Sequence, residues 1–122
     1  QDLAACATET DLDRRSRGLV DRFGPMPAEV DALVYSLRVR LLAAAADALA
    51  VESERGAGLV VRLPLDHGLD LRSVARQFRD VTATPSQLHL STAREWREAL
   101  LALLRELGRL VRARDRGAAS VR

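Results

Sequence analysis

The 122-residue chain has 48% hydrophobic side chains and a formal net charge of +2, the make-up of one domain that buries roughly two thirds of its unfolded surface. So small a net charge does not announce a nucleic-acid binder. With Cys6 as the single cysteine, neither an internal disulfide nor a cysteine-based zinc site can form, which fits a reducing cytoplasm. The most apolar run, from Leu41, is short and carries Asp47, so a soluble protein is expected.

The chain opens on Gln1 within an apolar QDLAACA run, from which we expect a piece of a longer polypeptide cut in or near a helix. Thr8 or Thr10 can cap the next helix, whose Leu12, Leu19, Val20 and Phe23 fall near one face. Gly24 is suited to end it and Pro27 to open another, so GPMP makes a rigid corner of Phe23, Gly24, Pro25 and Pro27. Asp21 is out of place there, because a carboxylate in the last turn faces the negative end of the helix dipole. From Pro27 the spacing of Val30, Leu33, Val34, Leu37 and Leu41 predicts a long amphipathic helix.

The period then changes. Ala50 to Glu54 and Leu59 to Leu63, joined by RGAG and closed by Pro64, predict a hairpin. Asp70, bracketed by Leu69 and Val74, caps a helix whose one face is Leu71, Val74, Ala75 and Phe78. After a turn at Thr84 to Ser86, the alternation in SQLHLS predicts a half-buried strand that turns His89 outward. Thr92 and Glu95 match a capping box for the last helix, along which Trp96, Leu100, Leu103, Leu107 and Leu110 recur at heptad spacing. Two heptads favour packing onto the helix's own domain over a coiled coil, and residues 117–122 are expected to fray. The fold class expected is α+β, a single domain of helices packed on a small sheet.

Enzyme signatures are missing. All 19 basic residues are arginine, so the lysine of a phosphate-binding loop is absent, and GAGLVV lacks the third glycine and the helix of a dinucleotide site. His67 in LDHGLD, with Asp66 and Asp70, reads as a loop and cap rather than a metal site, and no serine or cysteine has a recognisable base. No catalytic residue, metal or cofactor is assigned. The charge is uneven: residues 1–35 hold seven acids and four arginines, and residues 94–122 hold four acids and eight arginines. Arg105, Arg109, Arg112, Arg114 and Arg116 keep an independent nucleic-acid-binding domain open as a second reading, although no stacking aromatics accompany them.

The segment TETDLDRRSRGLVDRFGPMPAEVDALVYSLRVRLLA resembles the C-terminal domain of bacterial transcription-repair coupling factor, in which a D-R-F-G-x-x-P corner leads into an E-V-x-x-L helix. The hairpin, helix, L-H-L strand and final helix follow in that family's order. Asp47 departs from it, standing where the family usually has a glycine, and aspartate reaches the left-handed region at some cost.

The resemblance implies a non-catalytic regulatory domain of an ATP-dependent DNA translocase that removes stalled RNA polymerase and recruits UvrA through a UvrB-like module. Such a domain folds back on that module of the same polypeptide, masks its UvrA-binding surface and restrains the motor. Asp21 would then lie at the masking interface, and Gly18 stands where the family can carry a second acid. A monomer that does not bind DNA directly is expected, with UvrA and RNA polymerase reached through the parent.

Overall fold

The computed structural model describes residues 3–56 and 58–120. It is an α+β structure with helices α1 (Glu9–Phe23), α2 (Ala28–Ala45), α3 (Leu71–Arg76) and α4 (Arg97–Ser120). Strands β1 (Ala50–Glu54), β2 (Gly58–Arg62), β3 (Val81–Ala83) and β4 (Gln87–Ser91) form one antiparallel sheet in the order β1-β2-β4-β3. The sequence reads as one domain over 1–122, and the backbone gathers into two compact units, residues 1–42 and 43–122.

In the first unit, residues 3–5 of the apolar N-terminal run make a short 3-10 turn, and residues 1 and 2 lie outside the described residues. Of the two possible caps, Thr8 is the one used: its hydroxyl accepts from the Asp11 amide at 3.0 Å. Leu3, Cys6, Leu12, Val34 and Leu37 form the buried cluster, with Leu19, Met26, Val30 and Leu41 packed against it. Three residues leave the expected apolar faces: Val20 is 38%, Phe23 76% and Leu33 51% exposed. Arg38 of α2 ties the unit together by donating to Glu9 at 2.9 Å and pairing with Asp13 at 2.6 Å. Burial works against its charge, but the hydrogen bonds to Asp13 and Glu9 prevail and hold the guanidinium above its ordinary pKa.

The second unit begins at Ala43, in the last turn of α2. The Asp47 and Ala48 amides donate back to the Ala44 and Ala43 carbonyls at 3.1 and 2.9 Å, and Asp47 adopts φ 56°. This is the left-handed helix stop that usually takes glycine. Aspartate serves here because Arg114 Nη2 donates to its carboxylate at 2.8 Å, while Arg114 Nη1 reaches the His67 carbonyl at 2.7 Å.

Val61 and Leu59 of β2 share one sheet face with Leu88 and Leu90 of β4 and with Val81 and Ala83 of β3. Val61, Leu88, Leu90 and Val81 are buried, as are Leu71 and Val74 of α3. Along α4 the buried residues are Leu100, Leu101, Leu103, Leu104, Leu107 and Val111. That stripe is wider than an a/d seam and is what a helix packed on its own unit shows.

Three local readings are corrected. β2 begins at Gly58 and ends at Arg62, one residue earlier than expected. β3 forms just ahead of the Thr84 to Ser86 turn, where no element was read, because the free edge of β4 pairs Val81 with Leu90. The capping box at Thr92 and Glu95 does not start α4: the Ser91 hydroxyl accepts from the Ala93 amide at 3.3 Å, which holds the chain in a local turn, and the helix starts at Arg97 with the Trp96 carbonyl accepting from Leu100. The segment expected to fray is helical to Ser120, and Val121 and Arg122 lie outside the described residues.

Candidate functional site

The corner predicted from LVDRFGPMPAEV is built as its residues dictate. Gly24 closes α1 with φ 85°, and its amide donates to the Val20 carbonyl at 2.8 Å. The Pro27 carbonyl then accepts from the Val30 and Asp31 amides at 3.1 and 3.0 Å, so Pro27 stands just ahead of α2 rather than inside it. Pro25 is exposed, Met26 anchors the loop on the buried cluster, and the Arg22 guanidinium lies 5.7 Å from the centre of the exposed Phe23 ring. The corner therefore presents an aromatic ring and a cation outward rather than burying them.

Asp21 sits one residue before this pair, exposed in the last turn of α1. Among the described residues it makes no hydrogen bond or ion pair, and Arg17 one turn earlier does not reach it. It lines a groove of about 340 Å³ with Ser16, Arg17, Val20, Met26, Asp31, Val34 and Arg38. Arg38 is already engaged by Glu9 and Asp13, which leaves Arg17 against the two carboxylates Asp21 and Asp31. Asp31 lies in the first turn of α2, where the helix dipole favours it. Asp21 has no such reason to be where it is. The Ser16 hydroxyl, on the groove wall, is buried without a hydrogen-bond partner.

This groove can receive an apolar side chain on Val20, Met26 and Val34 and a cation on Asp21 and Asp31. Of its lining, the sequence reading singled out Asp21 for a role. Ser16, Arg17 and Val20 were recoverable from their spacing of five, four and one residues from Asp21, whereas the link from Arg38 to Glu9 spans 29 residues and left no local signal.

The histidines serve the fold. His67 is 8% exposed; its Nδ1 accepts from the Leu69 amide at 2.8 Å, so the ring is neutral and its Nε2–H donates to the Pro85 carbonyl at 2.7 Å. Both ring nitrogens are occupied. Asp70 accepts from the Ser73 amide at 3.1 Å as the cap of α3, and no group of three potential metal ligands occurs among the described residues. His89 lies between Glu54, 2.6 Å from Nδ1, and Gln87, 3.1 Å from Nε2.

The arginines of α4 do not form a free cationic stripe. Arg109 makes two 2.8 Å hydrogen bonds to Glu106, and Arg114 is held by Asp47, Asp115 and the His67 carbonyl. The Arg109 bonds, against some burial, hold the Glu106 carboxyl below its ordinary range. No helix among the described residues is long and apolar enough to cross a membrane.

The model of the TRCF domain family matches residues 1–74, which is more than half of the chain and spans the corner, α2, the hairpin and the start of α3. Among curated proteins no match is found.

Proposed function

This chain belongs to the TRCF domain family of transcription-repair coupling factor, and from that premise we propose that it is a non-catalytic regulatory module of a transcription-coupled repair translocase. It acts by folding back on the UvrB-like module of its parent, masking the UvrA-binding surface and restraining the motor until RNA polymerase is engaged. The contact runs through the end of α1, with Asp21 as its charged member and the adjoining groove receiving an apolar side chain of the partner.

One observation carries this reading: Asp21 is exposed and unpaired at the end of a helix where its charge is unfavourable, so its own domain gives no reason for it. A cationic partner across the interface would supply one, since charge-assisted hydrogen bonds are among the stronger polar contacts. The engaged arginines of α4 weigh against the nucleic-acid reading.

Asp21→Ala is expected to leave the melting temperature unchanged or slightly raised, because a dipole penalty of about 0.3–1 kcal/mol is relieved. In the full-length parent the same substitution is expected to raise UvrA capture in a pull-down. Lowered stability with unchanged capture would make Asp21 structural and misplace the interface.

A further inference from the structure

β3 lies at the edge of the sheet and pairs with β4 alone. Just before it the Asp80 carbonyl accepts from the Ser91 amide, and just after it the Thr84 amide donates to the Gln87 carbonyl, both at 2.9 Å. Backbone groups alternate in direction along an antiparallel strand, so those of Asp80, Thr82 and Thr84 turn to β4 and those of Val81 and Ala83 turn away from it. Two amides and two carbonyls therefore line the free edge, and three arginines accompany them. We infer that this edge and its arginines dock an extended acidic segment of a partner protein, which adds a strand beside β3 and sets its carboxylates on the guanidinium groups. The inference does not rest on the role given to Asp21.

The chain doubles back between α3 and β3, and this places the arginines. α3 packs against β3, with Val74 and Val81 buried and Thr82 exposed, so the helix covers the sheet face that carries Val81 and Ala83. Arg72, at the start of α3, lines a depression of about 170 Å³ together with Ala83, Thr84 and Pro85 at the far end of β3. Arg76 follows one helical turn later, and Arg79 stands two residues before Val81. All three are exposed, and among the described residues they make no hydrogen bond or ion pair.

The same stretch, residues 70–84, contains two acids. Asp70 is engaged as the cap of α3, where it accepts from the Ser73 amide, and Asp80 follows Arg79. Three arginines against two acids leave a charge of +1. β3 is only three residues long, so main-chain bonds along its edge are few and the charged contacts must add to them.

A peptide strand matches the edge in both senses, since its amides meet the two carbonyls and its carbonyls meet the two amides. Phosphate oxygens only accept, and would face those carbonyls without a proton to give. No aromatic ring lines the depression for a base to stack on. In the added strand, the residues that bond to Val81 and Ala83 place their side chains on the α3 face, beside the arginines. The segment that fits is therefore acidic at every second residue.

The test uses the 122-residue chain and a fluorescein-labelled (Glu-Val)4 peptide followed by anisotropy. A (Lys-Val)4 peptide, a (Glu-Val)4 peptide N-methylated at each glutamate and a 12-nucleotide single strand serve as comparisons. N-methylation keeps the charge and removes the amides that the edge carbonyls need, so affinity is expected to fall by about tenfold or more. The double variant Arg72→Ser/Arg76→Ser, altered only at exposed positions, is expected to keep its fold by circular dichroism and to lose a similar factor, with no loss for Arg112→Ser on α4. Absence of binding by the acidic peptide, equal binding of its N-methylated form, or unchanged binding by the double variant would overturn the assignment. So would an oligonucleotide that binds more tightly than the peptide and displaces it.

Discussion

Leu103→Glu is expected to unfold the second unit. Leu103 is fully buried in the middle of α4, within the stripe that runs from Leu100 to Val111. The substitution removes a buried leucine side chain, at a cost of about 2–5 kcal/mol, and leaves a carboxylate with no cation placed to receive it. That loss is comparable to the whole stability of many small domains, about 5–15 kcal/mol. Circular dichroism melting should show the transition lowered by tens of degrees or absent. Sedimentation decides the one competing account of the heptad spacing: if Leu103 lay in a seam between two copies, the variant would stay folded and become a monomer.

His67→Leu is expected to be the next most damaging of the changes considered. The imidazole links two backbone groups 16 residues apart in sequence, the Leu69 amide and the Pro85 carbonyl. Leucine fills much of the same space but serves neither. Each buried polar group left unmade costs about 1–3 kcal/mol, so a loss of roughly 2–4 kcal/mol follows if water reaches them only in part. The Arg114 bond to the His67 carbonyl does not depend on the side chain and should keep the loop backbone in place. The damage should therefore be local: faster hydrogen exchange at the Leu69 amide together with the lowered melting temperature. An unchanged melting curve would mean that the ring is dispensable and that the histidine is at this position for another reason.

What could be read in the sequence were the features that one stretch of chain decides alone. β1 was read to the residue because RGAG leaves the chain no option but to turn there, and the Gly24 and Pro27 corner was legible for the same reason. The left-handed Asp47 was legible as a departure from glycine, but the Arg114 side chain that stabilises it comes from 67 residues away and could not be inferred.

Each misreading has its own physical cause. Val81–Ala83 is too short to show a period and becomes a strand through its pairing with β4. Thr92 and Glu95 have the right spacing for a capping box, yet Ser91 takes the Ala93 amide first. Phe23 fits the apolar period of α1 and is exposed all the same, since the chain turns away at Gly24 before anything can cover the ring. At the candidate site, Asp21 was singled out because it defies the helix dipole, and the groove beside it was not foreseen, because half of its wall comes from Met26 and α2.

The account rests most heavily on Asp21 as the charged contact between this chain and the UvrB-like module. Calorimetric titration of the separately produced module with the 122-residue chain tests that contact in the absence of the motor, UvrA and polymerase. The account predicts saturable one-to-one binding that Asp21→Arg abolishes, with the variant chain still folded, because a like charge would now face the partner's cation. Binding of equal strength by the native and Asp21→Arg chains would contradict it.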